Sequence, residues 1–215
     1  MDVRWLAFTI YKILAKLILG RDLRYRAAVK IAAVLAEQGL FEESLEFANY
    51  GVEINHQDYR AWFLAALSLA RLNRLRAAAE AFEVVVSLRG DRADYWRFLG
   101  DALLAVGPLS EALEAYEEAA NLDDPDGRDD LNLAGLGHVC RLTKQYDIAL
   151  EYYDDAAQLY PDWADHWQNR AACLYELGDF ADAIASAEAA LELAPGHPVA
   201  LALIEHCEQQ LEATA

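Results

Sequence analysis

Residues 167–195 read WQNRAACLYELGDFADAIASAEAALELAP, and the spacing of their large and small side chains recurs along most of the chain. Alignment of this segment with the remaining sequence gives a period of 34 residues. The frames that share it are residues 25–58, 59–92, 93–126, 130–163 and 164–197, with residues 127–129 inserted between the third and the fourth. Breaks at Gly, Asn and Pro and almost no alternation of β-branched residues predict consecutive helices from Tyr25 onward.

Five columns of this repeat carry the pattern. Position 8 is small in every frame: Ala32, Ala66, Gly100, Gly137 and Ala171. Position 20 is small as well: Ser44, Ala78, Ala112, Ala149 and Ala183. Position 27 holds Gly51, Val85, Ala119, Ala156 and Ala190. Position 17 is bulky: Phe41, Leu75, Leu109, Tyr146 and Phe180. Position 4 holds Ala28, Trp62, Trp96, Leu133 and Trp167. Small residues at positions 8 and 20 let paired helices approach closely, and large residues at positions 4 and 17 fill the space between neighbouring units.

The pattern closely resembles the tetratricopeptide repeat (TPR) family, and the resemblance covers 173 of the 215 residues. It implies an all-α fold, a right-handed helical-repeat solenoid of five helix-turn-helix units. The family usually has Pro at position 32, where the first three repeats have His56, Gly90 and Asp124, and the third repeat has Pro108 in its inter-helix turn. These departures affect the expected geometry of the turns and leave the architecture unchanged.

Two further segments flank the repeats. Residues 198–215 begin with Pro198, which suits the first turn of a helix. Their apolar residues are spaced as in an amphipathic helix, so they are expected to form a C-terminal capping helix over the open end of the stack. Residues 1–24 are expected to form an N-terminal amphipathic helix that is both hydrophobic and basic.

The N-terminal segment is the most hydrophobic stretch of the chain. Residues 5–19 read WLAFTIYKILAKLIL, shorter than the roughly 20 apolar residues that a bilayer span needs. Its two internal lysines and the lack of a cleavage site disfavour both a transmembrane helix and a signal peptide. The composition is typical of a helix lying in a membrane interface. The residues expected to contact a membrane or a partner are Trp5, Phe8, Lys12, Lys16 and Arg21. The alternatives are packing of this helix on the protein's own first repeat, or on a partner protein.

Charge is distributed very unevenly. The formal net charge is −18, yet residues 1–100 have a balance of +2 and residues 101–215 have a balance of −20. Such an acidic surface repels phosphates and excludes nucleic acid as an expected partner. The three cysteines do not form a disulfide framework, which favours a reducing compartment. Together with the basic N-terminal segment, this predicts a cytoplasmic protein peripheral to the inner face of a membrane.

The resemblance implies that the first helix of each repeat lines a concave groove. The residues of this sequence that fall on the corresponding positions, and are therefore expected to bind a partner, are Arg60, Phe63, Leu64, Arg71, Arg97, Phe98, Asp101, His138, Arg141, Gln168 and Asn169. Arginine makes bidentate contacts with carboxylates and exposed aromatic rings supply apolar anchors, so the expected ligand is a protein segment with acidic and apolar groups. The alternative is that Arg60, Arg71 and Arg97 pair with neighbouring acids or only solvate the surface. Val29 and Ala33 replace the polar residues with which chaperone-associated members hold a C-terminal carboxylate, so the tails of cytosolic chaperones are not expected ligands.

No catalytic motif is present, and the sequence predicts a non-enzymatic protein without metal or cofactor. Cys140, Cys173 and Cys207 fall at positions typical of the core. The acidic run at residues 123–130 lacks the ligand spacing of a calcium loop and is interpreted as a linker. The leading function is a protein–protein interaction scaffold or assembly factor whose partner is a subunit of a membrane complex, with an anionic membrane surface as a further contact. The alternative is a soluble chaperone or escort for a hydrophobic client, with residues 1–24 as a self-packing or oligomerisation helix. Self-association is also compatible with the exposed apolar faces.

Overall fold

The computed structural model describes Tyr11, Ile13, residues 19–122 and residues 129–214, and in those residues the secondary structure is entirely helical. The helices from residue 21 onward are α1 (Arg21–Glu37), α2 (Phe41–Ile54), α3 (Tyr59–Arg71), α4 (Leu75–Leu88), α5 (Ala93–Val106), α6 (Leu109–Ala120), α7 (Asp129–Leu142), α8 (Tyr146–Leu159), α9 (Ala164–Leu177), α10 (Phe180–Leu193) and α11 (Pro198–Thr214). They form two compact units, residues 1–91 and residues 92–215. The all-α helical-repeat fold expected from the sequence is confirmed.

The first unit contains repeats one and two. Helix α1 pairs with α2 and α3 pairs with α4, while α3 packs on both helices of repeat one. Small residues line the contacts: Ala28 and Ala61 join Tyr25 in one core cluster, and Ala32 and Ala65 belong to the next. Helix α1 begins at Arg21, so the predicted boundary between residues 24 and 25 falls inside this helix.

A chain of buried hydroxyl groups links the three helices α1, α2 and α3. The Ser44 hydroxyl donates to the Ala32 carbonyl oxygen at 2.8 Å. The Ser68 Oγ lies 2.9 Å from the Ser44 Oγ and 2.8 Å from the Leu64 carbonyl oxygen. Both serines are fully buried, and because each hydroxyl has a partner, the polar column at this helix crossing does not carry the cost of an unpaired buried group.

The second unit contains repeats three to five and the last helix. Its helices pair as α5 with α6, α7 with α8 and α9 with α10, and repeats four and five each pack their first helix on the second helix of the repeat before. Helix α11 contacts α10 and α9 in the same manner. It buries Ala200 and Cys207 and packs Leu203 and Ile204 against repeat five, so it closes the apolar end of this unit.

The rings of Tyr116 and Tyr153 explain why three helix positions of the second unit hold glycine. The Tyr116 ring lies where a Cβ atom of Gly100 would stand, with ring atoms 2.8–2.9 Å from that point, and it also fills the equivalent space at Gly135. The Tyr153 ring occupies the space beside Gly137 in the same way, with its Cζ atom 2.9 Å away. Real Cβ atoms do not approach other atoms this closely, so position 8 is Gly where a tyrosine ring crosses it.

Position 15 of every repeat turns the chain between the two helices in the left-handed conformation. The residues there are Gly39, Asn73, Gly107, Lys144 and Gly178, with φ of 77°, 59°, 115°, 62° and 88°. In four repeats the N–H of position 16 donates to the carbonyl of position 11, which is the Schellman arrangement. In repeat three position 16 is Pro108, which has no N–H, and the Gly107 N–H donates to the Leu103 carbonyl instead.

Repeats one and two, and likewise repeats four and five, are also joined through the tryptophan at position 4. The Trp62 Nε1 donates to the His56 carbonyl oxygen at 3.0 Å, and the Trp167 Nε1 donates to the Pro161 carbonyl oxygen at 2.7 Å. Both acceptors stand at position 32 of the preceding repeat. His56 therefore provides the same backbone acceptor as Pro161, which is why the loss of the usual proline is tolerated there.

We expect Lys144→Gly to stabilise the protein, because Lys144 is exposed and pays for a left-handed backbone that glycine adopts freely. The gain in unfolding free energy should be up to about 1 kcal/mol, since glycine also loses more chain entropy on folding. Urea denaturation measures it, and Lys144→Ala is the matched control without the gain. Equal stability of the two variants would contradict the assignment of strain to this residue.

We expect Gly137→Ala to destabilise the protein by about 1–3 kcal/mol, the usual cost of overpacking, because the new methyl group meets the Tyr153 ring. Gly20→Ala is the control, since a Cβ atom there has nothing within 4 Å. The urea midpoint is the measurement, and a midpoint unchanged in Gly137→Ala would show that the ring moves aside at no cost.

Candidate functional site

The predicted partner-binding residues of the second unit lie on its three first helices, α5, α7 and α9. Phe98, His138, Gln168 and Asn169 are half-buried there. On each helix they stand at positions 5, 6 or 9 of the repeat, between the buried positions that form the core. They therefore share the face of the first helices that is turned away from the core. This inner face of the second unit (Arg97, Phe98, Asp101, His138, Arg141, Gln168 and Asn169) combines cationic, aromatic and amide groups.

In repeat three Arg97 and Asp101 are engaged with other side chains of the same repeat. The Tyr116 hydroxyl donates to the Asp101 carboxylate at 2.7 Å. The Arg97 Nη1 lies 3.5 Å from the other oxygen of the same carboxylate, and the Arg97 guanidinium stacks over the Phe98 ring at 4.6 Å. Burial, together with the neighbouring Asp101 carboxylate, raises the pKa of Tyr116, so its hydroxyl remains a donor. Arg97 and Asp101 therefore form part of a closed internal network.

Repeat four presents a different arrangement on the same face. Burial and the Arg141 guanidinium lower the pKa of His138, which keeps the imidazole neutral. The Arg141 Nε is buried and has no hydrogen-bond partner among the described residues. The hydroxyl of the fully buried Tyr153 is likewise without a hydrogen-bond partner in that part of the chain.

The predicted residues of the first unit are largely engaged with their own repeats. The Arg60 side chain donates three hydrogen bonds to the Asp58 carboxylate, the shortest at 2.5 Å, and its guanidinium lies 5.7 Å from the centre of the Tyr25 ring. Arg71 stacks over the Phe41 ring at 5.5 Å. These contacts are those of the alternative considered above, in which the arginines serve the solenoid itself, although Arg71 uses a ring and not an acid.

The two apolar residues predicted for this groove also take part in packing. Leu64 packs against the core cluster that contains Ala32 and Leu45. The Phe63 ring meets the Phe82 ring edge to face, with 6.2 Å between their centres. Both side chains are half-buried, so each presents only part of its surface to a ligand.

Asp58 caps helix α3 and anchors the Arg60 pair. It accepts a hydrogen bond from the Arg60 backbone N–H at 3.1 Å, in addition to the side-chain bonds. The Arg60 side chain is the main cause that lowers the pKa of Asp58 to about 2. A carboxylate whose pKa is lower in the folded state stabilises the protein above its unfolded pKa, and this contribution is lost as the pH falls through about 2.

We expect Asp58→Asn to lower the unfolding free energy at pH 7, because the ion pair with Arg60 is lost although asparagine still caps the helix. The difference from the wild type should shrink as the pH falls from about 4 towards 2. Urea denaturation across this range measures it. Asp22→Asn is the control, since its pair with Arg26 is exposed and worth little; a pH-independent difference for Asp58→Asn would contradict the ion-pair explanation.

The N-terminal segment contacts the first repeat through Tyr11 and Arg21. The Tyr11 ring lies 5.2 Å from the centre of the Phe47 ring and 6.4 Å from that of Tyr50, both on α2. Arg21 donates to the Ile54 carbonyl oxygen at 3.0 and 2.6 Å and so caps the end of α2. Trp5, Phe8, Lys12 and Lys16 lie outside the described residues. The contact of Tyr11 with α2 agrees with the alternative in which this segment packs on the protein's own first repeat.

Arg170 was also missed by the sequence analysis, since position 7 carries no motif. Its guanidinium donates to the Asp154 carboxylate at 2.5 Å and to the Ser186 hydroxyl. The residue thereby connects α9 with α8 and α10, and its role is structural.

The remaining residues with chemical potential are buried or isolated. Cys140, Cys173 and Cys207 are buried free thiols. The part of the chain that the structure describes holds no group of three or more His, Cys, Asp or Glu side chains placed to bind a metal. In that same part, no helix is both long and apolar enough to span a bilayer. Residues 123–128 of the acidic linker lie outside it.

Comparison with known proteins supports the repeat assignment. Family models described as tetratricopeptide repeat match residues 63–127 and 129–196. A curated human protein, protein O-mannosyl-transferase TMTC1, is 25% identical over 186 residues. The match covers 85% of this chain but only 21% of the human protein, so the chain spans about a fifth of the length of that relative.

Solved structures share the fold at low sequence identity. The crystal structure of YrrB, described as a TPR protein with an unusual peptide-binding site, has a TM-score of 0.71 at 19% identity and covers 85% of this chain and 90% of that one. PilF of Pseudomonas aeruginosa gives 0.76 at 18% identity, covering 91% and 87%. MamA of Desulfovibrio magneticus RS-1 gives 0.73 at 19% identity, covering 81% and 97%. These likenesses concern the fold.

Proposed function

Because the chain belongs to the tetratricopeptide repeat family, whose domains bind protein partners and are typically non-catalytic, we propose that it is a non-enzymatic scaffold or assembly factor. It holds a segment of a partner protein on the inner face of its repeats. The partner is a subunit of a membrane complex, and the protein is peripheral to the cytoplasmic face of that membrane.

The observation that carries this proposal is the composition of the inner face of the second unit. Phe98, His138, Gln168 and Asn169 are half-buried, and the two amide side chains make no hydrogen bond within the described part of the chain. Amides and an aromatic ring in such an environment can hydrogen-bond and pack against an extended peptide without large rearrangement. This favours a protein ligand over a small molecule.

The membrane part of the proposal comes from the charges and the N-terminal sequence. Residues 1–91 have a formal balance of +1 and residues 92–215 a balance of −19. An anionic lipid surface attracts a basic apolar segment such as residues 1–24 and repels the acidic unit. The second unit would then be held away from the lipid and left open to its partner.

A second candidate function is a soluble chaperone or escort for a hydrophobic client. The contact of Tyr11 with Phe47 and Tyr50 favours it, since the N-terminal segment then packs on the first repeat. In this case residues 1–24 are a lid or an oligomerisation helix and take no part in lipid binding.

We expect the full-length protein to float with vesicles containing anionic lipid and Lys12→Glu/Lys16→Glu to lose most of this binding. Each basic residue near such a surface contributes about 1 kcal/mol, so two charge reversals should reduce partitioning at least tenfold. Substitution is preferable to truncation at residue 25, which would cut helix α1 and remove the Arg21 cap.

The control for this experiment is Arg76→Glu/Lys144→Glu, which makes the same charge change at two exposed positions of the repeats. If both double variants lose vesicle binding equally, net charge alone explains the loss and residues 1–24 have no special part in it. If the wild type does not float at all, the second candidate function is favoured.

A partner cross-linked from the membrane fraction should disappear with Phe98→Ala/Gln168→Ala and persist with Glu114→Ala on helix α6.

A further inference from the structure

Two tyrosines at the same position of consecutive repeats make a matched pair. Tyr116 and Tyr153 both stand at position 24, on α6 and α8, and both are almost fully buried. Each ring covers the glycine at position 8 of its own repeat, Gly100 or Gly137. The Tyr116 hydroxyl reaches position 9, one residue further along the first helix, where it bonds Asp101. Because the Tyr153 ring packs on Gly137 in the same way, its hydroxyl is placed at the equivalent point of repeat four.

What differs is the residue at position 9. In repeat three it is Asp101, whose carboxylate accepts the Tyr116 hydroxyl at 2.7 Å. In repeat four it is His138, and the Tyr153 hydroxyl has no hydrogen-bond partner in the described part of the chain. A buried hydroxyl without a partner has lost its hydrogen bonds to water with nothing in return, so the repeat-four arrangement is unfavourable by itself.

The arginine next to position 9 follows the same division. The Arg97 Nη1 pairs with Asp101 at 3.5 Å. Arg141 has no carboxylate partner in the described part of the chain, and its guanidinium lies beside the Tyr153 hydroxyl. The Nε atoms of both arginines are buried without a partner, so the distinguishing feature is the carboxylate that Arg97 has and Arg141 lacks.

The electrostatics of repeat four agree with this geometry. Arg141 acts with burial to lower the pKa of His138. Burial raises the pKa of Tyr153 to about 12, and Arg141 opposes that rise, which places the guanidinium close to the hydroxyl. Burial and the Glu176 carboxylate raise the pKa of Tyr146, where Arg141 again acts in the opposite direction. Glu176 thus faces Tyr146.

We propose that the Arg141 guanidinium and the Tyr153 hydroxyl bind a carboxylate of the partner segment, in the position that Asp101 takes between Arg97 and Tyr116 in repeat three. This inference rests on the proposed function, since the carboxylate belongs to the partner. Arg141 supplies the charge and a planar set of donors, and Tyr153 supplies a donor held rigidly by its packing on Gly137. The carboxylate comes from an acidic side chain or from a chain terminus.

The test is a titration of the isotopically labelled full-length chain with small carboxylates, followed through the Arg141 side-chain Nε–H resonance. N-acetyl-glutamate N-methylamide presents a side-chain carboxylate and N-acetyl-glycine a terminal one, so the stronger of the two identifies the source. We expect at least one to shift the Arg141 resonance at millimolar concentration, while N-acetyl-glutamine N-methylamide does not. Equal shifts with the glutamine compound, or none with either carboxylate, would overturn the proposal.

Two conservative variants keep the test independent of folding defects. Tyr153→Phe retains the ring on Gly137 and should weaken binding of the carboxylate about tenfold, equivalent to about 1.4 kcal/mol. Arg141→Gln retains much of the stem and should weaken binding as much; because this variant lacks the Arg141 Nε–H, it is followed through the backbone amide of residue 141. His138→Asp supplies the carboxylate internally, as Asp101 does. It should raise the urea midpoint and abolish the shift caused by the added carboxylate.

Asp101→His is the reciprocal control, since it gives repeat three the arrangement of repeat four and should lower the urea midpoint. A His138→Asp variant that is not stabilised, or that still binds the carboxylate as well as the wild type, would refute the pairing of Arg141 with Tyr153. Failure here is distinct from failure of the proposed function. If partner cross-linking is lost in Phe98→Ala/Gln168→Ala but unchanged in His138→Asp, the proposed scaffold function stands and the proposed carboxylate site is refuted.

Discussion

The close approach of helices across residues with little or no side chain is the constraint on which the rest of the structure depends. At Gly100, Gly135 and Gly137 the helices come near enough for a tyrosine ring to occupy the space of a Cβ atom. At Ala28, Ala32 and Ala61 alanines serve the same purpose in the first unit. Because interiors are packed to nearly crystalline density, the position of each large ring is then fixed by the small residue opposite. The hydroxyl groups of Tyr116 and Tyr153 are delivered to the inner face by this packing.

The fold could be predicted from the sequence because its information is local and repeated. Large side chains at positions 4 and 17 and small ones at positions 8 and 20 recur with a fixed period. Position 17 is the first residue of the second helix in each repeat. The sequence could not show that α1 begins at Arg21, because the cap on the Ile54 carbonyl joins residues 33 apart. Pro108 indicated an unusual turn in repeat three. That the Gly107 N–H replaces the missing donor at position 16 depends on backbone geometry, which the sequence does not show.

Only part of the candidate site could be predicted from the sequence. Register placed the groove residues on one face of each first helix, but it did not distinguish an arginine that serves a ligand from one that serves the fold. Arg60 finds its acid two residues earlier, through the conformation of a helix cap, and Arg71 finds a ring on another helix. Leu64 was predicted for the groove and packs into a core cluster, since one side chain can reach both. Such distinctions need distances and burial, which depend on how neighbouring helices meet.

The three cysteines have a consequence of their own, because all of them lie in the second unit. Each thiol is buried, and burial raises its pKa, to about 11 for Cys173. Alkylating reagents attack the thiolate, so the folded unit resists them until the helices around a cysteine separate. Cys207 lies on the buried face of the last helix, while Cys140 and Cys173 share an inner cluster. The order in which these thiols become reactive would therefore record whether the second unit frays from its C-terminal helix or opens as a whole.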